Sequence, residues 1–252
     1  MTTLKKTWFA LVLLIQLFTG VSYADIVNVA IATNFTAPMK EIAIEFEKDT
    51  GYKTLLSFAS SGKLFAQINN GAPFDVFLSA DTHKPEQLEL GGLSVTGSRF
   101  TYAIGALVLW SPISGIVDKN GDVLFKNQFR HIAIANPKVA PYGAAAQQVM
   151  EKLGVWTEQQ SKLVQGENIA QTYQFVASGN AQIGFVALTQ VMANGKITTG
   201  SGWIVPASMH SPIKQDAVLL NFGKNNPVAL EFLDYMKSDK AKTIIQSYGY
   251  SL

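Results

Sequence analysis

The sequence contains no cysteine among its 252 residues. Disulfide frameworks, thiolate metal sites and cysteine nucleophiles are therefore excluded together. The three histidines, His83, His131 and His210, lie far apart in the chain without an H-x-x-x-H pair, so no histidine metal site is predicted. No G-x-S-x-G, Walker or H-E-x-x-H motif occurs. We predict no catalytic residues and no cofactor.

The sequence also lacks a surplus of charge once its first 24 residues are set aside. Of its 20 Lys and Arg residues, two (Lys5 and Lys6) lie in that segment, which contains no acidic residue. The remaining 18 basic residues balance the 18 acidic ones, and no Lys/Arg cluster exceeds a pair. A nucleic-acid-binding surface is therefore not predicted.

One long uncharged apolar run, residues 8–18, follows the two lysines and leads to a small-x-small pattern that ends at Ala24. This pattern predicts a secretory signal peptide, residues 1–24, cut after Ala24. The alternative is a membrane anchor, but the run is short for a span and no stop-transfer pattern follows. We therefore expect a periplasmic, monomeric mature protein.

The rest of the chain alternates strand-like and helix-like segments. Residues 26–32 are apolar and β-branched and lead directly into a helical pattern, and the same layout recurs along the chain. This alternation predicts an α/β fold with mainly parallel sheets flanked by helices. A β-type run over residues 100–110 marks the passage into a second lobe. The predicted division is lobe 1, residues 25–105 and 219–252, and lobe 2, residues 106–218.

Small polar residues stand at four junctions where helices are predicted to begin. Each junction alone is more often an ordinary helix cap than a binding site. In an open α/β sheet, however, ligands bind at the carboxyl ends of the strands, and two facing lobes bring two such edges together. Helix starts also favour anions. The junctions are Thr33-Asn34, Ser60-Ser61, Pro141-Tyr142-Gly143 and Asn168-Ile169.

These junctions offer hydroxyls, amides and backbone N–H groups rather than full positive charges. A hydrogen bond to a charged partner contributes roughly 1.5–3 kcal/mol, so several neutral donors suffice for tight anion binding. A site made mostly of donors also favours a fully deprotonated tetrahedral dianion over phosphate, whose proton needs an acceptor. Sulfate, molybdate and tungstate all meet this description, and the size of the cavity must separate them.

Several motifs together resemble the periplasmic molybdate-binding proteins of ABC transporters, over nearly all of the mature chain. The resemblance implies a two-lobed type II periplasmic binding protein fold that closes over molybdate or tungstate and delivers it to a membrane permease of an ABC importer. Molybdenum or tungsten would enter only as the oxyanion. The motifs are AIATNFTAPM, SFASSGKL, GAPFDVFLSAD, NPKVAPYGAAAQQVMEKLG, ENIAQTYQFVASGNAQIGFVA and YMKSDKAKTIIQSYGY.

By that resemblance the oxyanion would be held by five residues: Thr33, Asn34, Ser61, Tyr142 and the backbone N–H of Ile169. Members of the family it resembles that have a serine in the first motif usually also place a tyrosine where this chain has Ala187. The resemblance therefore implies that Tyr142 supplies the tyrosine contact here. Two alternatives stay open from the residues: a sulfate-binding protein on the same fold, and a periplasmic hydrolase, for which a positioned base is lacking.

Overall fold

The computed structural model describes residues 25–193 and 195–252. The predicted signal peptide, residues 1–24, lies outside the described residues. Within the described ranges, every helix is too short or too polar to cross a membrane.

The elements follow the predicted alternation of strands and helices. The strands are β1 (Ile26–Ala32), β2 (Lys53–Ala59), β3 (Val76–Leu78), β4 (Phe100–Gly105), β5 (Leu107–Ser111), β6 (Ile132–Ala135), β7 (Leu163–Gly166), β8 (Ile183–Ala187), β9 (Met192–Ala193), β10 (Lys196–Ile197), β11 (Ser201–Ile204) and β12 (Ile213–Leu219). The helices are α1 (Thr36–Thr50), α2 (Ser61–Asn69), α3 (His83–Leu90), α4 (Val123–Lys126), α5 (Pro141–Lys152), α6 (Trp156–Gln159), α7 (Ile169–Ala177), α8 (Pro227–Tyr235) and α9 (Asp239–Ser247).

Two five-stranded sheets form the two lobes. The first has the order β2-β1-β3-β12-β4, and the second has the order β11-β5-β8-β6-β7. In the first sheet β1 pairs in parallel with β2 and β3, and in the second sheet β6 pairs in parallel with β7 and β8. Each sheet also contains one antiparallel strand that the chain enters directly after crossing from the other lobe: β12 in the first sheet and β5 in the second. This architecture confirms the predicted two-lobed type II fold.

Helices cover both faces of each sheet, which explains the continuous apolar character of the central strands. In β1, Val27, Val29 and Ile31 pack into the cluster formed with α1, α8 and α9, whereas Ala30 belongs to the cluster on the α2 and α3 side. In the second sheet, β5 also buries side chains on both faces: Leu109 faces the α5 side and Val108 faces the α7 side.

The chain crosses between the lobes at two places. The first crossing is a single residue, Ala106, between β4 and β5, and the second is the segment between β11 and β12. Strand β12 begins at Ile213 and pairs with β3 and β4, so the first sheet takes up residues 213–218, which the predicted division left in lobe 2. Lys214, Gln215 and Asp216 interrupt the apolar pattern in the first half of this strand, and the predicted boundary lies at its apolar end.

Candidate functional site

The two lobes face each other across a small cavity at the carboxyl edges of both sheets. All five predicted site residues line it: Thr33, Asn34 and Ser61 from lobe 1, and Tyr142 and Ile169 from lobe 2. Each of them is at least nine-tenths buried. Among the described residues, the remaining lining residues are equally uncharged: Ala32, Ser60, Ala80, Ala140 and Pro141. The cavity is therefore neutral in formal charge.

The first turn of α2 directs one backbone donor at the cavity. The first N–H groups of a helix have no carbonyl partner within the helix. In α2 the Gly62 N–H bonds the Val139 carbonyl at 2.8 Å, and the Lys63 N–H bonds Ser60 Oγ at 3.3 Å. Within the described chain this leaves the Ser61 N–H available.

Helices α5 and α7 present donors from the other lobe in the same way. In α5 the first residue, Pro141, has no N–H, and the Gly143 N–H bonds the Ala140 carbonyl at 2.9 Å, so Tyr142 carries the free donor. In α7 the Asn168 side chain accepts from the Gln171 N–H at 3.0 Å. That cap does not use the Ile169 N–H, and Ile169 lines the cavity at the positive end of the helix dipole.

A short 3-10 turn, Thr33–Phe35, connects β1 directly to α1 and supplies the fourth helix start. Helix α1 begins at Thr36, whose hydroxyl donates to the Thr33 carbonyl at 2.8 Å. No side chain caps this turn, and Asn34, in the middle of the turn, lines the cavity together with residues of the other three helix starts.

The Ser61 side chain is oriented by a contact that the sequence did not reveal. Ser61 Oγ accepts a hydrogen bond from the Ala80 N–H at 2.9 Å. A serine hydroxyl has one proton and two lone pairs, so an occupied lone pair leaves the proton free to be donated. Ser61 is 1% exposed, and its O–H therefore adds a second donor beside its own N–H.

Behind the cavity a buried polar network holds the side chain of Asn34. Asn34 Nδ2 donates to Gln215 Oε1 at 2.7 Å and to the Tyr250 hydroxyl at 2.9 Å. The Asn34 carbonyl accepts from the Tyr250 hydroxyl at 2.9 Å and from Thr189 Oγ1 at 3.3 Å. Both amide protons of the Asn34 side chain are thus used within the protein.

Gln215 extends this network to Tyr142 in the second lobe. Gln215 Nε2 donates to the Tyr142 hydroxyl at 3.3 Å, and Gln215 Oε1 also accepts from Tyr102 at 3.1 Å. Burial is the main cause that raises the pKa of Tyr142 and of Tyr102 well above the ordinary tyrosine value, and it raises the pKa of Tyr250 to about 12. The network therefore stays neutral at physiological pH.

The chain matches the family model of the bacterial extracellular solute-binding proteins over residues 27–251. It belongs to this family.

Relatives with stated ligands are found at high identity. The molybdate-binding protein ModA of Azotobacter vinelandii is 59% identical over 226 residues, which cover 90% of each chain. ModA of Rhodobacter capsulatus is 48% identical over 248 residues, covering 98% of this chain and 96% of the relative. The solved structure of the periplasmic molybdate-binding protein of Azotobacter vinelandii superposes with a TM-score of 0.87 at 45% identity, covering 90% of this chain and 99% of that one.

The structure brings all five predicted site residues of this solute-binding protein together, and it adds residues that sequence reasoning missed. Gln215, Tyr250 and Thr189 hold Asn34 from behind, although they lie far from it in the chain. Ala187 is fully buried in β8, and its N–H bonds Gln190 Oε1 at 2.9 Å. No local sequence signal distinguishes Gln215 from other polar residues of a strand.

Proposed function

We propose that this protein captures molybdate or tungstate outside the cytoplasm and delivers it, without catalysis and as a monomer, to the membrane permease of an ABC importer. One observation carries the proposal: residues at helix starts from both lobes line one cavity, and no charged side chain of the described chain lines it. The high identity to proteins named for molybdate binding supports the choice of ligand.

The donor set suits a tetrahedral dianion. The proposed contacts are the N–H groups of Asn34, Ser61, Tyr142 and Ile169 together with the hydroxyls of Ser61 and Thr33. With roughly 1.5–3 kcal/mol for each hydrogen bond to a charged group, six such contacts give about 9–18 kcal/mol before the costs of dehydration and closure. Sub-micromolar binding requires a net value of only about 8–12 kcal/mol.

The division of these donors between the lobes links binding to closure. Asn34 and Ser61 belong to lobe 1, whereas Tyr142 and Ile169 belong to lobe 2. An anion that bonds both sets stabilises the closed arrangement over an open one, because only the closed arrangement provides all contacts at once. The neutral lining also disfavours hydrolysis, since no described side chain in the cavity can serve as a general base.

Isothermal titration calorimetry with molybdate, tungstate, sulfate and phosphate tests the proposal. We expect sub-micromolar binding of molybdate or tungstate at one site per chain, and at least about 100-fold weaker binding of phosphate, whose proton would face a donor. Sulfate binding as tight as molybdate binding would support the sulfate-binding alternative. Absence of binding to all four anions would contradict the proposal.

A further inference from the structure

One hydrogen bond joins the backbones of the two lobes directly across the cleft. The Gly62 N–H in the first turn of α2 donates to the Val139 carbonyl at 2.8 Å. Gly62 belongs to lobe 1, and Val139 lies in lobe 2 in the segment between β6 and α5. A Cβ atom at position 62 would lie 2.8 Å from both Cα and Cβ of Val139 and 3.0 Å from its carbonyl oxygen.

The backbone conformation of Gly62 does not require glycine. Gly62 is absent from the residues with positive φ and occupies the second position of a regular helix. Glycine is a poor helix former, so alanine would favour α2 if nothing else mattered. The close approach of Val139 is therefore the feature that excludes a side chain at this position.

The contact lies between the two groups of anion donors. Gly62 directly follows Ser61, and Val139 precedes Tyr142 by three residues, so one backbone bond ties together segments that line the cavity from opposite lobes. We propose that Gly62 is a positioning residue for anion binding, an inference that rests on the function proposed above. Because glycine has no side chain, the two lobes can approach until the donors of both lobes reach the same anion. The Gly62 N–H then stabilises this closed arrangement through its bond to Val139.

An ion pair at the next residue crosses the same cleft but has a different character. Lys63 Nζ lies 3.6 Å from Glu167 Oε2, and the two side chains are 59% and 74% exposed. Exposed pairs of this kind contribute little, because water screens the charges and both side chains lose freedom. Lys63 therefore serves as a neighbouring control that crosses the cleft without the close backbone contact.

The test compares Gly62→Ala with Lys63→Ala in the full mature chain. For Gly62→Ala we expect the affinities for molybdate and for tungstate to fall by a similar factor, roughly tenfold or more, because closure is impaired for both anions. Stopped-flow measurements should place most of this loss in faster dissociation. For Lys63→Ala we expect affinities within about twofold of the parent.

Two further measurements separate a positioning role from a general structural one. The melting temperature of ligand-free Gly62→Ala should equal or exceed that of the parent, since alanine favours the helix. Small-angle X-ray scattering should show a smaller compaction on adding molybdate than in the parent.

Parent-like affinity of Gly62→Ala would overturn the inference. The inference would also be overturned if Gly62→Ala lowered the melting temperature of the ligand-free protein as much as that of the molybdate-bound protein. The contact would then stabilise the ligand-free fold and not closure alone. If the parent itself binds no oxyanion, the proposed function fails, and this inference fails with it.

Discussion

At the scale of single residues, two adjacent serines do different work at the start of α2. Ser60 Oγ caps the helix by accepting from the Lys63 N–H, while Ser61 Oγ accepts from the Ala80 N–H and keeps its own proton available for donation. The two residues are chemically identical and similarly buried. Their difference in role arises only from the side of the helix start on which each hydroxyl lies.

This difference predicts that Ser61→Ala mainly lowers ligand affinity and that Ser60→Ala mainly lowers folding stability. Ser61→Ala should weaken molybdate binding by about 1.5–3 kcal/mol, or roughly tenfold to a hundredfold, because it removes a donor to a charged ligand. Ser60→Ala should cost about 1 kcal/mol of folding stability through the lost cap and change affinity by less than about threefold. Calorimetry and urea unfolding measure the two effects, and equal loss of affinity in both variants would refute the assignment.

The hydroxyls of Tyr142 and Tyr102 offer a second matched pair. Both bond Gln215, but Tyr142 reaches it from lobe 2, whereas Tyr102 lies in the same lobe as Gln215. Each Tyr→Phe change should destabilise the fold by about 1–3 kcal/mol, since a buried partner loses its hydrogen bond. Only Tyr142→Phe should also weaken molybdate binding by more than about threefold, because it loosens a contact between lobes. Parent-like affinity in Tyr142→Phe would show that this link does not assist binding.

At the scale of elements, helix caps decide which N–H groups remain for a ligand. In α7 the Asn168 side chain bonds the Gln171 N–H, and the Ile169 N–H stays free. In α8, which packs on the far side of the first sheet from α2, Asn226 accepts from the Val228 N–H at 3.0 Å. Both helices begin with the same capping residue, but only α7 begins at the cavity.

Asn168→Ala and Asn226→Ala should therefore both lower the free energy of unfolding by about 1 kcal/mol, the usual effect of a lost cap. Asn168→Ala should additionally weaken molybdate binding by roughly threefold to tenfold, because fraying of the first turn misdirects the Ile169 N–H. Asn226→Ala should bind like the parent. If both variants bind equally well, the start of α7 does not contribute a directed donor.

Elements with strong local patterns could be predicted from the sequence. Strand β1 and the buried face of α1, including Met39, Ile42 and Phe46, follow directly from apolar spacing, and the structure confirms them. Strand β11 escaped prediction because it is short, contains Gly202 and lies at a sheet edge, where alternation is weak. The break at Ala106 within the predicted long strand depends on which sheet each half joins, which is a property of the whole fold.

At the scale of the whole molecule, the candidate site depends on contacts between distant segments. The junction residues could be proposed because a strand followed by a helix is a local pattern. The side chain of Asn34, however, is fixed by Gln215 and Tyr250, which come from the opposite end of the chain. Such partners could not be predicted, because sequence spacing carries no information on which segments meet in space.

Burial of the tyrosines predicts how binding and stability respond to pH. Because no described ionisable side chain other than the buried, neutral Tyr142 lines the cavity, molybdate affinity should change by less than about threefold between pH 6 and 9. The pKa of Tyr250 is raised from 10.0 to about 12, so the unfolded chain loses its proton first as the pH rises. The contribution of neutral Tyr250 to the free energy of unfolding is therefore fully present below pH 10 and should be lost between pH 10 and 12.

Urea unfolding at pH 8, 10 and 11 measures this decline, and Tyr250→Phe should show a shallower one. A free energy of unfolding that stays constant up to pH 11 would show that Tyr250 is not buried as described.

Strand β12 occupies an interior position of the first sheet, between β3 and β4, although it comes from residues 213–219. During synthesis, the sheet of lobe 1 therefore cannot be completed until most of the chain has left the ribosome. The hydrogen bonds that join β3 to β12 and β12 to β4 can therefore form only after residues 213–219 have been synthesised.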